Sequence, residues 1–251
     1  MTLTDKQKVA EFLDITSDYL GSGYKSEKIE YKFIDDSQIS AQSGGEQNKI
    51  FNTDSIDQSD SIDSSDSIEK IAEEIKACKN CRLCEKRMNA APGEGVLNPL
   101  VLVIGEGPGE DEDKQGRPFV GKAGQLLDKM LAAIDLSRKT NCFIANVVKC
   151  RPPNNRDPHP DETAACANFL QRQIYLLKPK CILAAGRVAA QTLLKTTESI
   201  GRLRGTFSGI SAFGVSFPLL VTYHPAAILR NDDLKRPAWE DLKLLKSKLG
   251  L

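Results

Sequence analysis

The segment VLVIGEGPGEDEDKQGRPFVGKAG, residues 101 to 124, runs an apolar strand straight into a loop that combines glycines, carboxylates and one aromatic ring. Gly105, Gly107 and Gly109 let the main chain approach a bound group closely, and open α/β sheets take their ligands at the carboxyl ends of strands. The loop is therefore expected to be built around a ligand. It does not read as a phosphate site. The third glycine comes one position early for a dinucleotide fingerprint, and Glu106 with the acidic run 110 to 112 would repel a pyrophosphate. Gly116 to Lys122 has the outline of a phosphate loop, but Ala123 stands where a hydroxyl would hold magnesium, and no strand leads into it.

The cysteines form a second group with chemical potential. Cys78-x-x-Cys81 precedes the first strand, and Cys150 and Cys166 flank the loop RPPNNRDPHP, residues 151 to 160, which is too rich in proline for regular structure. Two separated pairs of thiols suggest a four-cysteine metal centre, and both zinc and an iron-sulfur cluster accept that donor set. Cys84 extends the first pair and is either a competing ligand or a bystander. Cys142 and Cys181 lie within apolar strands and are read as packing residues.

These residues need a frame. Leu100 to Gly105, Cys142 to Val148, Cys181 to Ala185 and Ser216 to Tyr223 are short and apolar enough to be buried strands. Gly124 to Ile134, Asp161 to Leu177, Arg187 to Leu194 and Pro237 to Leu249 read as helices between and after them. Crossovers of that length predict a three-layer α/β/α sandwich around a mainly parallel central four-stranded sheet. Such a sheet gathers Glu106, Asn146 and His224 at one rim.

Ahead of this domain, expected over 68–251, lies an N-terminal extension, 1–67. It holds an amphipathic stretch over 4–20 and a Ser/Asp-rich segment, 35–67, with too little apolar surface to order itself; that segment reads as a disordered acidic tether, the alternatives being a docking tail for a protein partner or a DNA mimic. The chain has 34 basic and 34 acidic residues, but residues 1–70 carry 15 acidic against 7 basic, so the formal zero hides about −8 and +8. A basic domain suits an anionic partner such as nucleic acid. No run is apolar enough to span a membrane and the N-terminus lacks a targeting signal, so a cytoplasmic, monomeric protein with free thiols is expected.

Taken together, GEGPG (105–109), GRPFVGKAG (116–124), NVVKCRPP (146–153) and HPA (224–226) resemble the family 4 uracil-DNA glycosylases, the iron-sulfur branch of the uracil glycosylase superfamily. The resemblance runs over about residues 71–249. It implies a parallel sheet between helices, a [4Fe-4S] cluster on Cys78, Cys81, Cys150 and Cys166, and hydrolysis of the bond joining uracil to deoxyribose in single- or double-stranded DNA. Cys84 falls where the family shows no ligand.

The residue types fit that chemistry. A base inside a duplex must be flipped into a pocket and read along its pairing edge. Phe119 would supply a stacking face. The Asn146 amide would donate to uracil O4 and accept from N3–H, which cytosine cannot match. His224 would donate to O2 as negative charge collects there, assisted by backbone N–H groups around Glu106 and Gly107. Gly107 stands where better-known relatives carry an aspartate, so Glu106 and Glu112 are the candidates for ordering water; by resemblance, Glu112 could instead exclude the thymine methyl. Leu229 and Arg230 would fill the gap left by the flipped base. Lys149, Arg151, Arg156 and the 202–204 segment are candidates for phosphate contact.

Blander roles exist for each: core packing for Phe119, a structural hydrogen bond for Asn146, a turn cap for His224. The whole-protein alternatives are a noncatalytic iron-sulfur DNA-binding or polymerase-associated module and, more distantly, a zinc-stabilised nucleotide hydrolase.

Overall fold

The computed structural model of the chain describes residues 65–251. The stretch 4–20 and nearly all of the acidic segment 35–67 therefore lie outside the described residues. Helix α1 (Ile68–Ala77) starts where Ser67 caps it, its hydroxyl accepting from the Lys70 N–H at 3.1 Å, and buries Ile71 and Ile75 on one face. Each side chain so buried contributes about 1.5–3 kcal/mol.

The strands that follow are β1 (Glu94–Gly95), β2 (Val101–Gly105), β3 (Cys142–Asn146), β4 (Cys181–Ala185), β5 (Phe207–Ala212) and β6 (Val215–Thr222). They form one sheet in the order β1-β3-β2-β4-β6-β5. The central four run parallel, as their separation by helices requires. To these the structure adds two antiparallel edge strands, β1 on β3 and β5 on β6. Both escape sequence reading for physical reasons. β1 is two residues long, and FSGISA is half exposed with little apolar periodicity. β5 and β6 are joined by Phe213-Gly214, both with positive φ, the mirror-image turn that suits the twist of a hairpin.

Helices α2 (Glu110–Gln115) and α3 (Lys122–Ala132) connect β2 to β3, and α4 (Pro160–Leu177) connects β3 to β4. After β4 come α5 (Arg187–Leu194) and the short α6 (Ile200–Leu203); after β6 come α7 (Pro225–Arg230) and α8 (Lys235–Leu249). One face of the sheet, with Leu102, Ile104, Ile182, Ala184, Leu219 and Val221, packs with α1 and α4 in a single core. The alternate residues point to the other face, where α3 and α8 bury Leu127, Met130, Leu131, Leu242 and Leu245. Among the described residues, no helix is long and apolar enough to cross a membrane.

Candidate active site

The parallel register pairs Gly105 with Asn146 at the carboxyl ends of β2 and β3. That places a residue without a side chain beside an amide. A β-carbon at Gly105 would lie 2.5 Å from both Asn146 Oδ1 and the Phe119 ring, so Gly105 keeps open the space these two groups share. Asn146 is 1% exposed, and its Oδ1 and Nδ2 have no hydrogen-bond partner among the described residues. A buried amide left in that state costs on the order of 1–3 kcal/mol per group, which a ligand with a matching donor and acceptor would recover.

His224 follows β6 by two residues and caps α7. Its Nδ1 accepts the Ala226 N–H at 3.1 Å, so in the neutral ring the proton sits on Nε2. Burial, with Arg230 adding to it, lowers this histidine to about 4. The Phe119 and His224 rings stack with centroids 5.5 Å apart. Behind the imidazole lies Gly186, whose φ is +99° and where a β-carbon would come within 2.8 Å of the His224 side chain.

Glu106, partly buried beyond β2, is pushed up to about 7 by burial, with Asp157 adding and Arg187 and Arg230 opposing. Next to it, Gly107 packs where a β-carbon would meet Val148 at 2.8 Å. Glu112 is buried and otherwise engaged. Its Oε1 accepts the Val120 and Gly121 N–H groups at 2.7 and 2.9 Å, and its Oε2 accepts from Gly109 at 3.1 Å. This carboxylate ties the Phe119 loop to the start of α2.

A buried unpartnered amide, an aromatic ring and an imidazole at one rim of the sheet are accompanied by likeness along the chain. Residues 92–243 match the model of the Uracil DNA glycosylase superfamily. The chain is 43% identical over 184 residues to the type-4 uracil-DNA glycosylase of Saccharolobus solfataricus, covering 72% of this chain and 85% of that one. It is 44% identical over 181 residues to the type-4 enzyme of Sulfurisphaera tokodaii, 70% and 82% of the two chains, and 44% over 179 residues to that of Pyrobaculum aerophilum, 70% and 91%. The chain belongs to the type-4 uracil-DNA glycosylases.

In this glycosylase the cysteines of both pairs line one pocket. Cys78 at the end of α1, Cys81, Cys84, Cys150 and Cys166 of α4 surround it together with Ile75, Arg87, Lys149 and Phe169. None forms a disulfide. Arg87 donates to Cys150 Sγ at 2.9 Å and to the Cys78 carbonyl at 3.0 Å, and the Asn80 N–H reaches Cys78 Sγ at 3.5 Å. Burial raises Cys81 and Cys166, and raises Cys150 to about 11 against the pull of Arg87. Among the described residues, no three His, Cys, Asp or Glu side chains are arranged to hold a single metal ion.

Several basic residues read as phosphate contacts are otherwise engaged. Lys149 is 1% exposed and donates to the Asn146 carbonyl at 2.8 Å and to Gln173 Oε1 at 2.7 Å, joining the cysteine pocket to the end of β3. Arg156 grips the buried Glu162 with both nitrogens. Arg204 is bound to Asp241, which also accepts from Thr222 at the end of β6. Arg151 donates to Asn155 at 2.8 Å, whereas Arg202, Arg230 and Leu229, the last 51% exposed, stand at the surface. Arg138 is buried against the Phe119 loop, a position that its sequence neighbours do not reveal. A lone arginine between Ser137 and Lys139 gives no sign of its depth.

Proposed function

We propose that the glycosylase flips deoxyuridine from DNA into the Gly105–Asn146–Phe119–His224 slot and hydrolyses its N-glycosidic bond. It releases uracil, leaves an abasic site and keeps the phosphodiester backbone intact. The observation that carries this reading is the buried, unpartnered Asn146 amide. Its Nδ2 donates to uracil O4 and its Oδ1 accepts from N3–H, while the Phe119 ring stacks on the base.

As the bond from C1′ to N1 breaks, its electron pair passes into the uracil ring and charge collects on O2. His224 Nε2–H, held in that tautomer by the Ala226 N–H, donates to O2; because the ring is neutral at physiological pH, it stabilises the anion by hydrogen bonding without giving up its proton. Water adds to the sugar's C1′ and loses a proton. Glu106 is the group placed beyond β2 to order that water, and with its carboxyl near 7 it can accept the proton. Backbone N–H groups around Glu106 and Gly107 assist at the anion. Glu112 acts by fixing the loop, leaving thymine exclusion to the closeness of the slot. Leu229 and Arg230 enter the gap in the DNA, single- or double-stranded, and the enzyme acts as a cytoplasmic monomer.

Cys78, Cys81, Cys150 and Cys166 would hold a [4Fe-4S] cluster. The donor set fits: thiols on three separate segments ring one pocket, and Arg87 borders it with a hydrogen bond to Cys150 Sγ. When bound there, a cluster would tie the chain after α1, the start of the Pro-rich loop and α4 together. The test is uracil release from a uracil-containing oligonucleotide by wild type, His224→Ala and Asn146→Ala. Release by wild type and its loss in both variants supports the reading; equal release by all three removes it.

A further inference from the structure

Phe119 has φ +53°, a left-handed backbone that a bulky L-residue adopts only at a cost. Such a conformation persists only where its surroundings impose it. Here two opposite charges hold the main chain of residues 118–121 from two sides. The Glu112 carboxylate takes the N–H groups of Val120 and Gly121. On the other side, Arg138 donates from Nη1 to the Pro118 carbonyl at 2.9 Å and from Nη2 to the Phe119 carbonyl at 2.8 Å.

Arg138 comes from the loop after α3, nineteen residues beyond Phe119, and is 9% exposed. Its Nε is anchored at 3.0 Å to Asp128 Oδ1, and Glu94 lies 3.6 Å from Nη1. The loop is closed from beneath by Gly124, where a β-carbon would fall 1.9 Å from the Phe119 carbonyl oxygen. Two adjacent carbonyls presented to one guanidinium fork fix the peptide planes on either side of the Phe119 α-carbon, and with them the direction in which the ring projects.

We propose that Arg138 is a positioning residue for uracil excision, setting the Phe119 ring in its base-stacking pose before the base arrives. The proposal rests on reading Phe119 as the stacking wall of the uracil slot. It gives a buried cation, remote from the reacting atoms, a place in substrate selection.

The test is a double-mutant cycle of wild type, Arg138→Met, Phe119→Ala and the double variant. It measures kcat/KM for uracil release, inhibition by free uracil and affinity for undamaged DNA. Arg138→Met should lower kcat/KM by about 10- to 100-fold and weaken inhibition by free uracil, since small misplacements of a positioned group cost that much. Affinity for undamaged DNA should stay within about twofold, as a residue this buried makes no phosphate contact. In the Phe119→Ala background the same change should cost less than about twofold, because the ring it positions is gone. Should Arg138→Met fail to fold, Asp128→Asn, which loosens the guanidinium without removing it, takes its place and should show the same dependence on Phe119. An equal loss with and without the Phe119 ring overturns the assignment of Arg138 alone. Wild type that releases no uracil overturns the slot reading and this inference together.

Discussion

The Phe119 and His224 rings stand side by side, centroids 5.5 Å apart and planes inclined by 30°. One ring is carried by a loop beyond β2 and the other by the cap of α7, so the contact joins the two halves of the slot. It also shields the imidazole from water, part of the reason His224 is lowered to about 4. On the proposed reading of His224 as the donor to uracil O2, His224→Ala should lower kcat by roughly 10²- to 10³-fold, with affinity for undamaged DNA unchanged. Single-turnover uracil release measures the first and fluorescence anisotropy the second.

The pH profile should belong to Glu106 and not to His224. With the carboxyl near 7 and active as the carboxylate, kcat/KM should rise with pH and level off above about 7; His224, neutral down to about 4, contributes no inflection between. In Glu106→Gln the profile should be lower and flat from pH 5 to 9. The same group has a stability signature. A carboxyl raised from 4.5 to about 7 makes the folded state bind more protons than the unfolded state in that window, so its contribution falls as pH rises through it, and denaturant midpoints of wild type relative to Glu106→Gln should show that decline.

Asn146→Asp should change what is read. A protonated or ionised carboxyl accepts where the amide donated, so uracil release should fall by at least about 100-fold while release of cytosine, which offers an amino donor at the same edge, becomes detectable. Base release from oligonucleotides with one uracil or one cytosine opposite guanine is the measurement.

Gly105→Ala should fill the slot. The backbone of Gly105 lies in an ordinary strand, so alanine adds no conformational strain, yet its methyl would stand 2.5 Å from Asn146 Oδ1 and from the Phe119 ring. The variant should keep its fold by circular dichroism and lose uracil release by more than about 100-fold, the loss expected when a reacting base is displaced by an ångström or more.

The cysteines should separate into two groups. Cys78→Ser, Cys81→Ser, Cys150→Ser or Cys166→Ser should each strip the visible absorption and lower the melting temperature, whereas Cys84→Ser should retain iron and colour. Iron content per chain, with the absorption spectrum of anaerobically purified protein, decides it. Loss of iron in Cys84→Ser alone would reassign the ligands.

Much of this site could be read in the sequence because its residues interrupt strong patterns. Asn146 breaks an apolar strand and Glu106 and His224 end two others, and a parallel sheet brings such ends together. What could not be read depends on partners far along the chain. The charge of Lys149 suggested a surface contact with phosphate, whereas folding buries it between the Asn146 carbonyl and Gln173. Arg156 and Arg204 likewise meet carboxylates within the fold. The acidic run at 110–112 was legible as a barrier to phosphate, but its last member, Glu112, proves to hold the Phe119 loop, a task visible only once three backbone N–H groups converge on it.

The most direct measurement is the product of incubating wild-type protein with an oligonucleotide carrying one deoxyuridine, analysed for free uracil and for an alkali-labile abasic site. Free uracil equal in amount to abasic sites, with the backbone uncut before alkali and with thymine oligonucleotides untouched, is the predicted result. An oligonucleotide that is bound but keeps its base would contradict the account, because the unpartnered amide of the buried Asn146 would then have no part in base excision.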